Sequence, residues 1–374
     1  MNRHNDNYNL HTDVATTSEE LNIILEDANA RYNAKMWQPF TDVLPATYSK
    51  KFSTIVKETG IVVEASLLSP MGVKPLRSAT GQSGYSDSIH KIGHGFKVDQ
   101  ADLNYFEELN LVNNNMSDMI LETYSERALN VVGGFHKTWN RWVFEAISNQ
   151  SVNLGSLGGN TFAVDLRTPA ANKMKVKGDK PWFDPDATTV NKPMDLVRMN
   201  KYATDVLNMP QDRVFLVSKE LMDKIALDEE FLKVIRNYVS ANTLSDFYLN
   251  PERVIALLPT VLGIPPIVAI DEKSAYEDDG IPVIGEAAFN KGKISLVPAR
   301  KLFNMHNSPS DYMKDPNPNT IKTAIEGGLI GALQKFGSEP IEVVTNMESW
   351  SFISFKNPKW VVSLDTTKAS ATGN

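Results

Sequence analysis

The chain of 374 residues has six histidines and no cysteine, so any metal or nucleophile chemistry must start from His, Asp, Glu or Ser. His90 and His94 stand four apart, a spacing that puts two metal ligands on one face of a helix. The intervening Lys91-Ile92-Gly93 and the following Gly95 oppose a helix, so the pair reads as solvated histidines on a projecting loop. Asp271 to Gly280 (DEKSAYEDDG) is acidic enough to suggest calcium, but it lacks the ligand order and closing Glu of a calcium loop. It reads as a solvated loop. The Gly-rich stretches GSLGGN (155–160) and EGGLIG (326–331) lack the Lys-Ser/Thr of a phosphate loop and do not open a βαβ unit. No G-x-S-x-G elbow occurs, and the histidines have no local triad context. Phe135, Trp139 and Trp142 could stack on bases, yet their helical spacing marks them as core. No catalytic, cofactor or metal residue is therefore assigned.

Composition narrows the classes further. Lys and Arg number 38 against 45 Asp and Glu, a net charge of -7, and an acidic surface gains little counterion release on a phosphate backbone. Hydrophobic residues at 42% with 22% charged are a folded, globular balance, and the length calls for two lobes or one lobe with long excursions. The first residues have no apolar core, so a secretory signal is not expected. The longest apolar stretch, Val254 to Ile270, is broken by Pro259, Pro265 and Pro266 and is too short to span a membrane. It reads as two buried strands, Val254 to Leu258 and Pro266 to Ile270.

The elements that would carry any function are unusual. Thr16 and Thr17, each followed three residues later by Glu19 or Glu20, start a helix with Leu21, Ile24, Leu25, Ala28, Tyr32 and Met36 on one face. The irregular Trp37 to Lys51 after it makes this helix part of an arm whose apolar face needs a partner elsewhere. Ile61 to Leu67 is strand-like, and Ser69 to Gly95 is rich in Gly and Ser. That tract is a disordered insert or a projecting hairpin, and the return through Phe96 and Val98 favours the hairpin. From Asp102, apolar residues recur every three or four positions through Ala146, one helix of about 45 residues. A kink is expected at Gly133-Gly134, or a close approach of a neighbouring backbone. Short strands at Phe162 to Leu166 and Met174 to Val176 and a turn at Trp182 to Asp186 come next. An α/β pattern follows: a helix over Pro193 to Asn208, a strand over Arg213 to Val217, and helices over Lys219 to Leu227, capped by Ser218, and Glu229 to Val239. A further strand covers Lys293 to Val297, and the tail from Ile341 reads as a β-hairpin ending at Trp360 to Leu364.

In this order the segments resemble the tailed-phage major capsid proteins of the Hong Kong 97-like fold, closest to the lambda-type major head protein family. The resemblance rests on DRVFLVSKELMDKI (212–225), GIPPIVAIDEKSAYEDDG (263–280) and FNKGKISLVPAR (289–300), and covers most of the chain beyond residue 55. The lambda-type pattern has Gly after the last of these strands, where Arg300-Lys301 follow Pro298-Ala299 here. The resemblance implies an α+β fold with an N-terminal arm (1–55), an extended loop (56–100) and a peripheral domain with a spine helix (101–186). An α/β axial domain (187–334) and return strands of the peripheral domain with the tail (335–374) complete it.

The function so implied is that of a head protein assembling as hexamers and pentamers into an icosahedral shell, made in the host bacterial cytoplasm. It would act with no cofactor, enzymatic activity or membrane. Implied partners are further copies of itself, a separate scaffolding protein, portal and decoration proteins, and packaged double-stranded DNA held without sequence-specific contacts. Candidate contacts between subunits are Leu67, Leu68, Lys74, Leu76 and Arg77 on the loop, Leu21, Ile24 and Leu25 on the arm, and Asp271, Asp278 and Asp279 on the acidic loop. One branch of the fold forms a covalent Lys-Asn link; Lys74 and Lys91 are loop lysines, but no partner Asn is identified, and non-covalent assembly is expected. The alternatives are a virion tail-tube or ring protein, which a helix of that length disfavours, and an α/β enzyme, for which no nucleophile, base or cofactor motif can be named.

Overall fold

The computed structural model describes residues 18–57, 82–98, 101–102, 116–157, 160–239, 250–278, 281–310, 321–325, 329–336 and 342–373. In chain order the main elements are α1 (Ser18–Arg31), β1 (Thr41–Val43), β2 (Lys51–Lys57), β3 (Gln82–Ser88), β4 (His90–Val98), α2 (Met116–Asn149), β5 (Ser151–Leu157), β6 (Asn160–Asp165) and β7 (Lys173–Lys177). Then come α3 (Lys192–Asp205), β8 (Arg213–Ser218), α4 (Lys219–Leu227), α5 (Glu229–Val239), α6 (Pro251–Leu262), β9 (Ile267–Ile270), β10 (Lys273–Asp278) and β11 (Ile281–Ala287). The last are β12 (Lys293–Pro298), β13 (Phe303–Ser308), β14 (Ile321–Ile325), β15 (Leu329–Phe336), β16 (Glu342–Phe355) and β17 (Val362–Ser370).

Two sheets organise these elements. The first runs β1-β13-β16-β15-β14, with β4 pairing β16 as well, and the second runs β7-β17-β12-β8-β9. The spine helix α2 serves both. Its Tyr124, Val131, Phe135, Trp139, Trp142 and Val143 are buried in one core with Phe303, Met305, Phe352 and Ile353 of the first sheet. Its C-terminal end reaches the second sheet, where the Ser295 hydroxyl donates to the Ile147 carbonyl at 3.0 Å. Alternate residues of β8 serve different cores because strand side chains alternate faces: Leu216 joins the α2 core, while Phe215 and Val217 face Leu221, Ile225 and Leu258 of the helices. A sheet covered on both sides reads as a continuous apolar run, as VFLV does.

Local chemistry explains the helices of the second unit. Asn191 caps α3 with Pro193 in the first turn, and Ser218 caps α4 by accepting from the Leu221 amide at 3.2 Å. The expected strand at Val254 to Leu258 is instead helix α6. Asn250 caps it, Pro251 opens it, Gly263 closes it at φ 63°, and Pro259 falls in the last turns, where one backbone donor is lost. The second strand of that apolar run is observed, as β9.

Several other expectations change. The N-terminal helix does not lack a local partner: Leu21, Leu25 and Ala28 are buried in this chain's own α2 core, and Asn22 accepts from Thr323 of β14 at 2.7 Å. Helix α2 runs unbroken through Gly133-Gly134. Those glycines serve close approach, but of side chains: a Cβ on Gly133 would lie 2.8 Å from the Tyr32 ring, and one on Gly134 2.8 Å from His94. The tail is not a hairpin. β16 is the long strand of the first sheet, whereas β17 crosses to the second and pairs β12 and β7. β13, β14 and β15 belong with the first sheet and β7 and β17 with the second.

Candidate functional site

The residues singled out from the sequence fall in different places. Leu21 and Leu25 are fully covered, and Ile24 is half-buried against the same core, so these three hold α1 to its own chain. Leu67, Leu68, Lys74, Leu76 and Arg77 lie outside the described residues, as does Asp279. β2 and β3 pair antiparallel from Lys51 opposite Ser88 to Lys57 opposite Gln82, whereas Phe96 and Val98, expected as the return of a hairpin, lie on β4 against β16. The segment read as an acidic loop is mostly hairpin, with β10 paired to β11, and only Asp271 of its three named acids is described by side chain, as exposed.

His90 and His94 are not on a loop. Both lie on β4, paired to β16, His90 half-buried edge-on to Phe352 with ring centroids 4.9 Å apart and His94 exposed. Four residues along a strand span about 13 Å, too far for shared coordination. No cluster of His, Asp and Glu fit to hold a metal occurs among the described residues, and no described helix is long and apolar enough to cross a membrane.

The N-terminal segment is clipped to the body at several points. Lys301 donates to the Gln38 and Thr41 carbonyls at 2.8 and 2.7 Å, Lys356 pairs with Asp42, and β1 adds in parallel to β13. Trp37 donates its amide to Asn140 and its indole N–H to His136.

A cleft of about 880 Å³ opens between α2, β5–β6 and β10–β11, lined by Lys137, Arg141, Glu145, Asn153, Glu286 and Lys291. Its charges are largely spent within the chain. Arg141 lies 3.5 Å from Glu145, whose carboxylate accepts the Asn153 amide, and Lys291 pairs with Glu220. Burial pushes the Glu145 carboxyl up, against the pull of Asn153 and Arg141.

Three antiparallel pairs, β2–β3, β5–β6 and β10–β11, stand apart from both sheets. An isolated two-stranded ribbon is marginal in water and presents open edges, so such pairs call for cover from outside. The second unit also leaves Val206, Leu227 and Tyr238 exposed, and Ile284 of β11 is 75% exposed. These apolar positions were not singled out from sequence because single apolar residues near helix ends and on short strands carry no periodic signal.

With that geometry described, relatives can be compared. Over 93% of this chain and 98% of the other, it superposes on the crystal structure of a protein assigned as a prophage capsid protein from Escherichia coli CFT073, with a TM-score of 0.50 at 13% identity. The two chains share a fold. The expected α+β fold of phage capsid proteins is observed. Weaker likenesses are a cyanophage A-1(L) capsid subunit (15% identity, 90% of this chain and 96% of the other, TM-score 0.45) and a Pyrococcus furiosus virus-like particle (12%, 92% and 98%, 0.41). No family model and no curated protein matches the sequence.

Proposed function

We propose that this chain is the major capsid protein of a tailed double-stranded DNA bacteriophage, a structural protein and not an enzyme. The observation that carries the reading is the fold shared with the prophage capsid protein over nearly the full length of both chains. Its physical support is surface that one copy leaves unfinished: three two-stranded ribbons with open edges, and scattered exposed apolar side chains on the second unit.

Copies assemble as hexamers and pentamers into a closed shell, held by contacts of the obligate size class, on the order of 2,000 Å² or more. The β2–β3 hairpin reaches a neighbouring copy, with Leu67, Leu68 and Leu76 as apolar anchors and Lys74 and Arg77 meeting acids there. Asp271, Asp278 and Asp279 supply acidic contacts at another boundary. A scaffolding protein, a portal, decoration proteins and packaged DNA bound without sequence readout are the further partners. The protein is made in the host cytoplasm and ends in the virion.

Electron microscopy of the purified protein, with scaffold supplied, is the test: closed icosahedral particles support the reading, and a strict monomer at high concentration refutes it. Replacing residues 60–80 by a short Gly-Ser linker should leave the thermal transition of the subunit little changed and abolish closed shells.

A further inference from the structure

The N-terminal segment and the β2–β3 hairpin are each seated on a buried histidine. Under the first lies His136 of α2, 3% exposed, with Tyr32 stacked on it at 5.3 Å, Trp37 at 6.1 Å and Trp139 edge-on. An indole N–H can only donate, and that of Trp37 meets His136 Nδ1 at 3.1 Å. The ring proton therefore sits on Nε2, where it is donated to Asn29 Oδ1 at 2.7 Å. A second proton would have to enter at Nδ1, against the indole N–H. Burial, with the like charge of Lys35, holds this ring down at about 3.

The hairpin has a corresponding seat. His306 of β13 stacks on Phe52 of β2 with centroids 3.9 Å apart, and its Nε2 hydrogen-bonds the Ser354 hydroxyl at 2.8 Å. Burial lowers it to about 4. Beside it, at the start of β4, His90 is also lowered by burial, against the opposing pull of Asp87.

We propose that acid unseats the N-terminal segment (18–43) and the β2–β3 hairpin from the body of the subunit, through protonation of His136 under the one and His306 under the other, while the second unit stays folded.

The sign follows from linkage. A histidine held below its free value of about 6.5 binds its proton more readily once its cover is removed, so each seat is tightest at neutral pH and loosens as pH falls through 6.5. The other charged groups are few. Around His136 they are Lys35, Lys137, Asp271 and Glu272, with Tyr32 held up at about 12. Glu272 is raised by burial, so its protonation favours the docked state and opposes part of the effect. On the strands around the second seat they are Lys50, Asp87, Lys91 and Glu348, the last two paired at 2.5 Å.

Hydrogen exchange of the full-length protein, corrected for the intrinsic pH dependence of exchange, reads the opening directly. From pH 7 to pH 5 the opening constant should rise roughly 20-fold at the His306 seat, in peptides from 51–57, and by less than about 25-fold at the His136 seat, in peptides from 21–43, where Glu272 opposes it, with β8 and β12 unchanged. Gln can accept from the indole and donate to Asn29 without titrating. His136→Gln should therefore abolish the response of 21–43 alone, and Glu272→Gln should enlarge it. Equal protection at both pH values, a response that persists in His136→Gln, or parallel loss from β8 and β12 would each overturn the proposal. Should His136→Gln not fold, the ring titration of His136 in the unmodified protein decides: a value of 5 or above in the docked state overturns it, and one below 5 supports it.

Discussion

The two sheets flank the same spine helix but are built from different material. β8 and β12 of the second bury Phe215, Leu216, Val217, Ile294, Leu296 and Val297 with only Arg213, Ser218 and Ser295 among them, whereas β13 and β16 of the first bury Phe303, Met305, Met347, Phe352, Ile353 and Phe355 together with the polar His306, Asn307, Ser308, Thr345, Glu348, Ser349, Ser351 and Ser354. Apolar packing is non-directional and tolerates volume-conserving change. Buried polar groups must find partners, so they specify one geometry and are costly when it is lost. β1 and the β2–β3 hairpin dock on β13 beside those polar residues, while α1 packs its apolar stripe on the spine helix. The first sheet therefore gives a seat that is specific and conditional, and the second gives a frame that is neither.

The widest expected gap between the sheets comes from truncation. Leu296→Ala removes a fully covered side chain from a doubly buried strand and should cost about 2–5 kcal/mol in chemical denaturation. Ser351→Ala changes little volume, but it leaves the buried Trp139 indole, now 3.1 Å from the Ser351 hydroxyl, without an acceptor. Its cost should be about 1–3 kcal/mol. A Ser351→Ala variant as stable as the parent would show that the polar ladder of β16 does not specify the spine's position.

Next in size is Ser218→Ala. It removes the acceptor for the Leu221 amide and should lower stability by about 1 kcal/mol. Exchange should report the loss in α4 and not in β16, because the cap acts within one turn. An equal loss in both sheets would mean that the two units unfold as one.

The same contrast explains what could be read in the sequence. Helices α3, α4 and α5 and strands β8, β9 and β12 were legible because their signals are local: Ser218 beside an apolar run, Pro193 in a first turn, the short apolar stretch Ile-Val-Ala-Ile after two prolines. Helix α6 was misread because Pro259 looked like a break in a strand pair; Asn250 and Gly263, its caps, were the contrary signals. The polar sheet was not legible. Ser349 and Ser351 look like surface until β4 and β13 cover them, and those pairings join residues more than 40 and 250 positions apart. Likewise the partner of α1 lay about a hundred residues downstream in α2, so its stripe of Leu21, Leu25 and Ala28 looked unpaired. Five of the proposed contact residues, Leu67, Leu68, Lys74, Leu76 and Arg77, lie outside the described residues.

The smallest expected effect is the most discriminating. By helix propensity alone, Gly133→Ala in the middle of α2 should stabilise by about 1 kcal/mol. The added methyl group would meet the Tyr32 ring at 2.8 Å, and that ring is stacked on His136, so the gain must be set against a displaced N-terminal segment. The net change should therefore be less than about 1 kcal/mol and destabilising, with lost exchange protection confined to residues 21–43. Tyr32→Ala in the same background removes the clash and should restore the propensity gain, a coupling that a double-mutant cycle reads directly. If Gly133→Ala stabilises the protein with Tyr32 in place, the glycine is not there for close approach, and the segment's seat tolerates more movement than its stacked rings imply.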